Sequence, residues 1–258
     1  MARQATGAAQ RREQMLAAIQ ERHFLHVREL SGRFGISEVT VRSDLDALAS
    51  RGDVHRIRGG AIPRERPFEE SETTHASEKV AIGRAAAELV RDGESLLIDV
   101  STTTAAAAHA LAARADLDGV VVFTNGLKTA LELEPGHPRI SVVLLGGTLR
   151  PLQHSLVDPL ATLILEQITA QTLLLGCNGV DVHGGVTNLN LPEAEIKKRM
   201  IAAAGRRIVL ADGSKIGAVR LARLCGVEDI DLVITGESAD PEAVAALREH
   251  GVEVRIVR

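Results

Sequence analysis

A run of hydroxyl-bearing residues, Ser101-Thr-Thr-Thr104, lies between an apolar run that predicts a strand and an alanine-rich run that predicts a helix. The N-terminus of a helix binds anions, because its backbone N–H groups are free and the helix dipole is positive there, and nearby hydroxyl groups can donate further hydrogen bonds. Lys215, in the segment DGSK, adds a compact positive charge that suits the same anion. These residues predict a site for a phosphate group.

Other polar residues and glycines form short stretches, most of which directly follow a predicted strand. The carboxyl ends of parallel strands meet at one edge of a sheet, and ligands of open α/β sheets bind there. Asparagine and glutamate suit sugar hydroxyls, and glycine lets the backbone approach a ligand closely. The candidate ligand-contacting residues of these stretches are Asp99, Ser101, Thr102, Thr103, Thr104, Thr124, Asn125, Gly126, Gly146, Gly147, Asn178, Asn188, Glu193, Lys197 and Lys215.

Three carboxylates near this predicted site, Asp99, Glu193 and Glu195, allow a second interpretation. An isomerase or deaminase acting on a sugar phosphate needs a carboxylate base close to the substrate carbon. No histidine accompanies these motifs. The two cysteines, Cys177 and Cys225, show no spacing typical of a disulfide framework or a zinc site, so we expect no metal or cofactor.

The elements that must position these residues are strands alternating with helices. Helical patterns at 103–114, 193–204 and 241–250 lie between apolar runs. This alternation predicts an α/β domain with a mostly parallel sheet covered by helices. The predicted strands are 96–100, 120–123, 140–145, 173–175, 208–210, 232–234 and 252–257.

The N-terminal segment differs from the rest of the chain in charge. Residues 1–66 hold 12 Arg, no Lys and 8 Asp or Glu, whereas the whole chain has a formal net charge of −4. A basic segment on an acidic body suggests that this segment alone meets a polyanion.

The same segment predicts three short helices followed by a β-hairpin. Helices are expected at 11–21 and 27–34, and a third begins after Ser37 and ends at Gly52. The residues from Val54 to Gly60 read as the hairpin, which completes a winged helix-turn-helix. We therefore expect a DNA-binding domain at 1–62, a linker at 63–78, rich in Pro, Glu and Thr, and an effector-sensing domain at 79–258.

The third helix is the predicted recognition helix, whose N-terminal part enters the major groove of double-stranded DNA. Arg42 can donate two hydrogen bonds to guanine and Val39 can contact a thymine methyl group. Asp44 would repel phosphate, so we expect it to pair with an arginine instead. Arg56 and Arg58, two residues apart, are expected on one face of a wing strand. The predicted DNA-binding residues are Ser37, Glu38, Val39, Thr40, Arg42, Ser43, Arg56 and Arg58.

Composition suits a globular protein without membrane segments. Hydrophobic residues make up 45% of the 258 residues, and no apolar run approaches the roughly 20 residues that cross a bilayer. The first residues lack the apolar middle of a signal peptide, so we expect a cytoplasmic protein.

The motifs together resemble the DeoR family of bacterial transcriptional regulators. The resemblance rests on SEVTVRSDL (37–45), RIRGGA (56–61), and five stretches of the body: DVSTTT (99–104), TNG (124–126), LGG (145–147), GCNGVD (176–181), and the pair EAEIK (193–197) with DGSK (212–215). That family commonly has Arg where this chain has Ser43, and Gly where it has Ser101.

The resemblance implies a regulator, most simply a repressor of a carbohydrate-catabolism operon. Such a protein binds operator DNA as a homodimer or homotetramer and is released by a phosphorylated sugar. Its sensor resembles ribose-phosphate isomerases in fold and senses sugar phosphates without turning them over. The run GVTNLNLPEAEIKKRM (185–200) is most similar to regulators of the galactosamine and galactitol type. The alternative remains a sugar-phosphate isomerase or deaminase that carries a DNA-binding head.

Overall fold

The computed structural model describes residues 2–22, 24–64 and 68–258. Contacts between residues divide the chain into two units, Met1–Glu65 and Arg66–Arg258, and each has its own hydrophobic core. Within the described residues, no helix combines the length and the apolar character needed to cross a membrane.

The first unit has the three helices and the hairpin that the sequence predicts, plus one short strand that it does not. Ser37 begins the third helix by accepting a hydrogen bond from the backbone N–H of Thr40 at 3.1 Å. Val41, Leu45 and Leu48 are fully buried, as their spacing predicts. The strands form an antiparallel sheet in the order β1-β3-β2. The elements are α1 (Ala2–Arg22), β1 (Leu25–His26), α2 (Val27–Phe34), α3 (Glu38–Ser50), β2 (Val54–Ile57) and β3 (Gly60–Pro63).

Asp44 ties α1 to α3, which confirms that it pairs with arginine. Its carboxylate accepts hydrogen bonds from Arg11 Nε at 2.6 Å and from Arg12 Nε at 2.8 Å, and the residue is 2% exposed. Burial acts to raise the pKa of Asp44, but the two guanidinium groups outweigh it and the pKa is lowered. The carboxylate therefore stays charged and orients α3, the predicted recognition helix, on its scaffold.

The second unit is built on a seven-stranded parallel sheet, which confirms the predicted fold class and all seven predicted strands. Val, Ile and Leu fill both of its faces, as expected for a parallel sheet covered on both sides. The strand order is β15-β14-β12-β9-β4-β5-β6. The strands are β4 (Ser95–Ile98), β5 (Val120–Thr124), β6 (Ile140–Leu144), β9 (Ala170–Gly176), β12 (Ala204–Leu210), β14 (Leu232–Gly236) and β15 (Glu253–Val257).

Helices cover both faces of the sheet. One face packs against a cluster that includes Ile82, Leu111 and Leu133, and the other against a cluster that includes Ile196 and Leu247. The helices on the first face are α5 (Ala76–Ala87), α6 (Thr102–Ala112) and α7 (Leu127–Leu133), and those on the second are α8 (Leu160–Leu165), α9 (Leu191–Ala202) and α10 (Pro241–Glu249).

Two small antiparallel sheets were not predicted, because strands of three or four residues are too short for an alternating pattern to show. One is a hairpin whose strands pair Leu149 with Leu156. The other has the order β10-β11-β13. Their strands are β7 (Thr148–Arg150), β8 (Ser155–Val157), β10 (Gly179–Asp181), β11 (Gly185–Asn188) and β13 (Ala222–Cys225).

The segment 63–78, predicted as a linker, is partly helical. Residues 65–67 lie outside the described residues, but Phe68–Thr73 forms a helix, α4, and α5 begins at Ala76. Phe68 is 2% exposed and packs with Val100 and Ala105. This single large apolar side chain fixes α4 to the second unit in spite of its polar neighbours.

Candidate functional site

The first half of α3 presents the predicted DNA-reading side chains to solvent. Val39 is 73% exposed, and Arg42 and Ser43 are exposed as well. Arg42 Nη2 donates to Glu38 Oε2 at 2.8 Å, one turn earlier in the helix. An exposed ion pair of this kind contributes little free energy. The guanidinium of Arg42 can therefore leave Glu38 and bind a base edge at a small cost in free energy.

Ser37 and Thr40 use their hydroxyl groups to form the start of the helix. Their oxygen atoms lie 2.9 Å apart, and Ser37 Oγ also accepts the backbone N–H of Thr40. The two residues therefore shape the N-terminus of the recognition helix, a position at which helices bind phosphate.

The wing places its two arginines differently from the prediction. Arg56 lies in β2, with its Nε 3.3 Å from Asp46 Oδ1, so it is linked to α3. Arg58 lies in the turn beyond the end of β2, not on the strand face that Arg56 shares. Turn positions project from a hairpin, so Arg58 extends the reach of the wing.

An open groove runs between α2, α3 and the wing, and its polar lining combines three arginines with two glutamates and a histidine, Glu29, Glu38 and His26. Arg42 and Arg56 line it together with Arg28, from the first turn of α2. Arg28 was not among the predicted DNA-binding residues, although a basic residue in the helix that precedes the recognition helix was a usable signal.

In the second unit, the predicted effector-binding stretches meet at one edge of the sheet. Because all seven strands are parallel, the loops after β6, β5, β4, β9 and β12 follow one another in that order along the carboxyl edge. Strands lie about 4.8 Å apart, so the loops that carry Thr103 and Lys215 are separated by about 10 Å.

Cys177, in the loop between these two, shows how the charges cluster. Burial raises the pKa of its thiol to about 12, Lys197 and Lys215 act in the opposite direction, and Asp99 adds to the rise. Groups from three loops and from α9 are therefore close enough to Cys177 to act on its thiol electrostatically.

At the start of α6, the hydroxyl run divides into two parts. Ser101 caps the helix by accepting the N–H of Thr104 at 3.0 Å, and Thr104 Oγ1 donates to the carbonyl oxygen of Asp99 at 2.9 Å. Thr102 and Thr103 supply the first two N–H groups of the helix, which have no acceptor within it, and neither side chain bonds to another described residue. The binding capacity of the run thus lies in Thr102 and Thr103.

Ser101 is accommodated by a glycine on the neighbouring strand. A Cβ atom at Gly176 would lie 2.2 Å from Ser101 Oγ. Ser101, the residue at which the chain departs from the DeoR pattern, therefore packs against backbone and does not narrow the α6 N-terminus directly.

Asp99 and Lys197 pair with each other instead of standing open to a ligand. Lys197 Nζ bonds to Asp99 Oδ2 and, at 2.7 Å, to the carbonyl oxygen of Gly176. Asp99 Oδ1 accepts the N–H of Gly176 at 2.9 Å, and both side chains are almost fully buried. These partners indicate that the two residues support the site, and their contact with the effector stays a prediction.

Glu193 is also committed to a structural contact. Its carboxylate pairs with Arg150 and accepts a hydrogen bond from Ser155 Oγ at 3.3 Å, and so fastens the β7–β8 hairpin to the N-terminus of α9. Glu195, the third candidate base, is exposed and pairs with Lys198 at 2.8 Å.

Several other predicted residues hold the loops in place. Asn178 Oδ1 accepts the N–H of Leu189 at 3.0 Å, and Asn188 Nδ2 donates to the carbonyl oxygen of Asn190 at 3.2 Å. Thr124 Oγ1 accepts the N–H of Gly126 at 3.1 Å. These bonds fix the strand ends from which a ligand would be contacted.

The glycines after β6 make room for the protein chain itself. Gly147 has a φ of +142°, and a Cβ atom there would lie 2.1 Å from the carbonyl oxygen of Val157. A Cβ atom at Gly146 would press on Leu160 at 3.1 Å. Segments β8 and α8 therefore approach these glycines closely, and a ligand contact at the same glycines stays a prediction.

Asn125 offers an acceptor that nothing uses. Its Nδ2 donates to the carbonyl oxygen of Leu156 at 3.0 Å, while its Oδ1 is buried and has no hydrogen-bond partner among the described residues. Buried polar atoms almost always have a partner in the working state of a protein. The loop that carries Asn125 adjoins the loop that carries Thr102 and Thr103.

Lys215 keeps a partly exposed ammonium group at the same edge. It is 3.1 Å from Ser214 Oγ and 3.9 Å from Asp212 Oδ2, contacts that leave donor capacity. Burial lowers the pKa of Lys79. The charge of Asp212 opposes that shift and the charge of Lys215 adds to it, so Lys79 is close enough to both residues to interact with them electrostatically. Lys79 was not among the predicted site residues, because it lies at the boundary of the predicted linker.

Helix α4 lies on two of these loops. Phe68 packs against Val100 and Ala105 beside the α6 N-terminus, and its ring stacks on His154 of the β7–β8 hairpin with centroids 5.9 Å apart. Lys79 Nζ donates to the carbonyl oxygen of Ser71 at 2.6 Å, which links α4 to α5. The element that follows directly on the DNA-reading unit in the chain thus contacts the candidate site.

Comparison with known proteins supplies matches over nearly the whole chain. Residues 11–66 match the family model described as a DeoR-like helix-turn-helix domain, and residues 74–237 match the DeoR C terminal sensor domain.

Full-length relatives agree with these matches. An uncharacterized HTH-type transcriptional regulator, YulB, of Bacillus subtilis (strain 168) is 34% identical, with 96% of each chain covered. A putative aga operon transcriptional repressor of Escherichia coli O157:H7 is 31% identical, covering 98% of this chain and 95% of its own. A glycerol-3-phosphate regulon repressor of Escherichia coli (strain K12) is 26% identical, covering 96% and 98%.

Proposed function

This chain belongs to the DeoR family of transcriptional regulators, and we propose that it represses a carbohydrate-catabolism operon until a phosphorylated sugar releases it from DNA. It binds DNA through the winged helix-turn-helix of the first unit. The relatives named for an aga operon and for a glycerol-3-phosphate regulon are repressors, and they support the direction of control and the class of effector.

The observation that carries the effector proposal is the set of unused polar groups at the carboxyl edge of the sheet. The free N-terminus of α6 at Thr102 and Thr103 and the ammonium group of Lys215 suit the phosphate. The unpaired Asn125 Oδ1 is buried, so a sugar hydroxyl can donate a hydrogen bond to it only when its loop shifts to admit the ligand. One ligand that carries both a phosphate and a hydroxyl group would bind the α6 N-terminus, Lys215 and Asn125 together.

Coupling to DNA binding runs through α4 in this proposal. An effector can shift the protein between two arrangements only by binding one of them more tightly. A ligand at Thr102, Thr103 and Asn125 touches the loops on which Phe68 rests. Moving Phe68 changes the start of the sensor unit, where the chain arrives from the DNA-reading unit.

The test is a panel of sugar phosphates in thermal-shift and gel-shift assays, with each free sugar as the control. A ligand at 100 times its Kd stabilises a protein by about 2.7 kcal/mol, which raises the Tm of a unit of this size by roughly 5–10 °C. We expect a galactosamine- or tagatose-type phosphate to stabilise the protein and to release operator DNA. Stabilisation by unphosphorylated sugars alone, or by no member of the panel, would reject the phosphate site.

Replacing Lys215 tests the charge directly. Hydrogen bonds to charged groups contribute about 1.5–3 kcal/mol, so Lys215→Ala is expected to weaken sugar-phosphate binding by roughly 10- to 100-fold. Lys198→Ala is the matched control, because Lys198 is an exposed lysine of the same unit and pairs only with Glu195. Isothermal titration would show the loss for Lys215→Ala and wild-type affinity for Lys198→Ala; equal affinities would remove Lys215 from the site.

The enzyme alternative receives no support from the carboxylates. Asp99 is paired with Lys197, Glu193 with Arg150, and Glu195 is exposed beside Lys198. A carboxylate held by a cation is a weak base for proton abstraction. We expect no turnover of ribose 5-phosphate or glucosamine 6-phosphate, and measurable turnover by the purified chain would restore the alternative.

A further inference from the structure

The two edge strands of the seven-stranded sheet differ in charge. Strand β15 carries Glu253 and Arg255 and is followed by Arg258, whereas β6, with the sequence ISVVL, carries no charged residue. Proteins protect exposed sheet edges from pairing by placing charges on them. One edge of this sheet has that protection and the other lacks it.

Large apolar side chains are exposed on β6 and just after it. Within residues 140–165 the only charged residues are Arg150 and Asp158, of which Arg150 pairs with Glu193 and Asp158 accepts a hydrogen bond from Thr162. We call the exposed apolar residues of this segment the edge patch. They are Val143, Leu144, Leu149, Leu152, Leu160 and Leu163.

The edge patch is connected to the strand edge. The side chain of Leu160 lies against Gly146, two residues beyond Leu144, and Leu163 is three residues further along α8 and so on the same face. Leu160 and Leu163 therefore lie close to the end of β6, and contiguous exposed apolar surface marks interaction sites.

The backbone of β6 offers an unpaired ladder beside the patch. The carbonyl oxygen of Arg139 and the N–H of Leu145 bond to β5, at 3.1 and 2.7 Å. Backbone groups alternate in direction along a strand, so those of Ile140, Val142 and Leu144 point away from β5. Among the described strands, β5 is the only neighbour of β6.

We propose that the edge patch and β6 form the interface between two copies of this chain, with the two β6 strands paired antiparallel across a two-fold axis. The outward backbone groups place Val142 opposite Val142 of the second copy, and Ile140 opposite Leu144. A two-fold interface brings identical surfaces together, and a strand without charge does so without opposing like charges. A helix-turn-helix protein binds the two half-sites of an operator with two copies of its chain, so the second copy would supply the second recognition helix.

Sedimentation analysis of the full chain tests the interface. Val143→Lys places a charge on the edge and is expected to halve the mass of the assembly at micromolar concentration, with a dimer dissociation constant raised about 30-fold or more. Leu163→Glu, on α8, is expected to act in the same direction without touching the strand. Ile256→Lys is the control, because Ile256 is a similarly exposed apolar residue on the other edge strand.

A wild-type protein that is monomeric would overturn the proposal. So would variants Val143→Lys and Leu163→Glu that both keep the wild-type mass and the wild-type circular dichroism spectrum. Should Val143→Lys fail to fold, a cysteine at the axis gives a separate answer. The Cα atoms of a hydrogen-bonded antiparallel pair lie about 5.5 Å apart, within disulfide range. Val142→Cys is expected to form a linked dimer on mild oxidation and Ile256→Cys is not; no linked dimer from Val142→Cys contradicts the pairing.

Discussion

Arg42→Ala is expected to reduce selective operator binding strongly while leaving the protein folded. A bidentate arginine–guanine contact contributes about 1–3 kcal/mol to discrimination, and a dimer on a palindromic operator loses two of them. The loss is therefore about 2–6 kcal/mol, or roughly 30-fold to 10⁴-fold in affinity. Its partner in the free protein, Glu38, is exposed, so breaking that pair has little effect on stability.

Arg51→Ala is the matched control for Arg42. Arg51 is an exposed arginine at the other end of α3, nine residues away and thus about 13 Å along the helix. Fluorescence anisotropy on operator and on random duplex should show that Arg42→Ala reduces the difference between them and that Arg51→Ala keeps it.

Arg42→Lys and the salt slope separate two roles of the same side chain. Lysine keeps the charge but not the planar fork, so a guanine contact is lost and a phosphate contact largely survives. Each phosphate contact adds about 0.9 to the slope of log affinity against log salt. If Arg42→Ala lowers affinity equally on all sequences and lowers this slope, Arg42 binds the backbone and the base-reading assignment is wrong.

The sequence was sufficient to predict the fold because apolar periodicity survives wherever an element is long and buried. All seven strands of the main sheet were predicted from aliphatic runs, and Val41, Leu45 and Leu48 from their helical spacing. Helix α4 was hidden by its composition, FEESET, in which Phe68 is the one apolar residue and is buried against Val100 and Ala105. The polar composition of this segment predicted a linker, but the packing of Phe68 against the sensor unit stabilises a helix.

The candidate site was harder to predict because one residue type serves both binding and support. Asp99 and Lys197 are 98 residues apart, and nothing in their local sequence shows that each has the other as its partner. The same holds for Glu193 and Arg150. The sequence pattern predicted that these residues share one edge of the sheet, but only the structure separates those with open groups, such as Thr102 and Lys215, from those that hold the loops.

That separation leads to a large expected effect on stability from Lys197→Met. The change leaves the buried carboxylate of Asp99 without its cation and the carbonyl oxygen of Gly176 without a donor. Removing one partner of a buried ion pair typically costs about 3–5 kcal/mol. For a unit of this size the Tm of the sensor unit should fall by roughly 6–20 °C, as measured by differential scanning calorimetry.

The double variant Lys197→Met/Asp99→Asn distinguishes a support from a ligand contact. It removes both charges while keeping an oxygen for the N–H of Gly176, so much of the lost stability should return. Lys198→Met, on the exposed face of the same helix, is the control and should leave the Tm within about 1–2 °C of wild type. Because Asp99 and Lys197 support the site through each other and through the backbone of Gly176 in this account, the stabilised double variant should also retain sugar-phosphate affinity. A double variant that regains its Tm but no longer binds sugar phosphate would make these two residues direct contacts and restore the original prediction from the sequence.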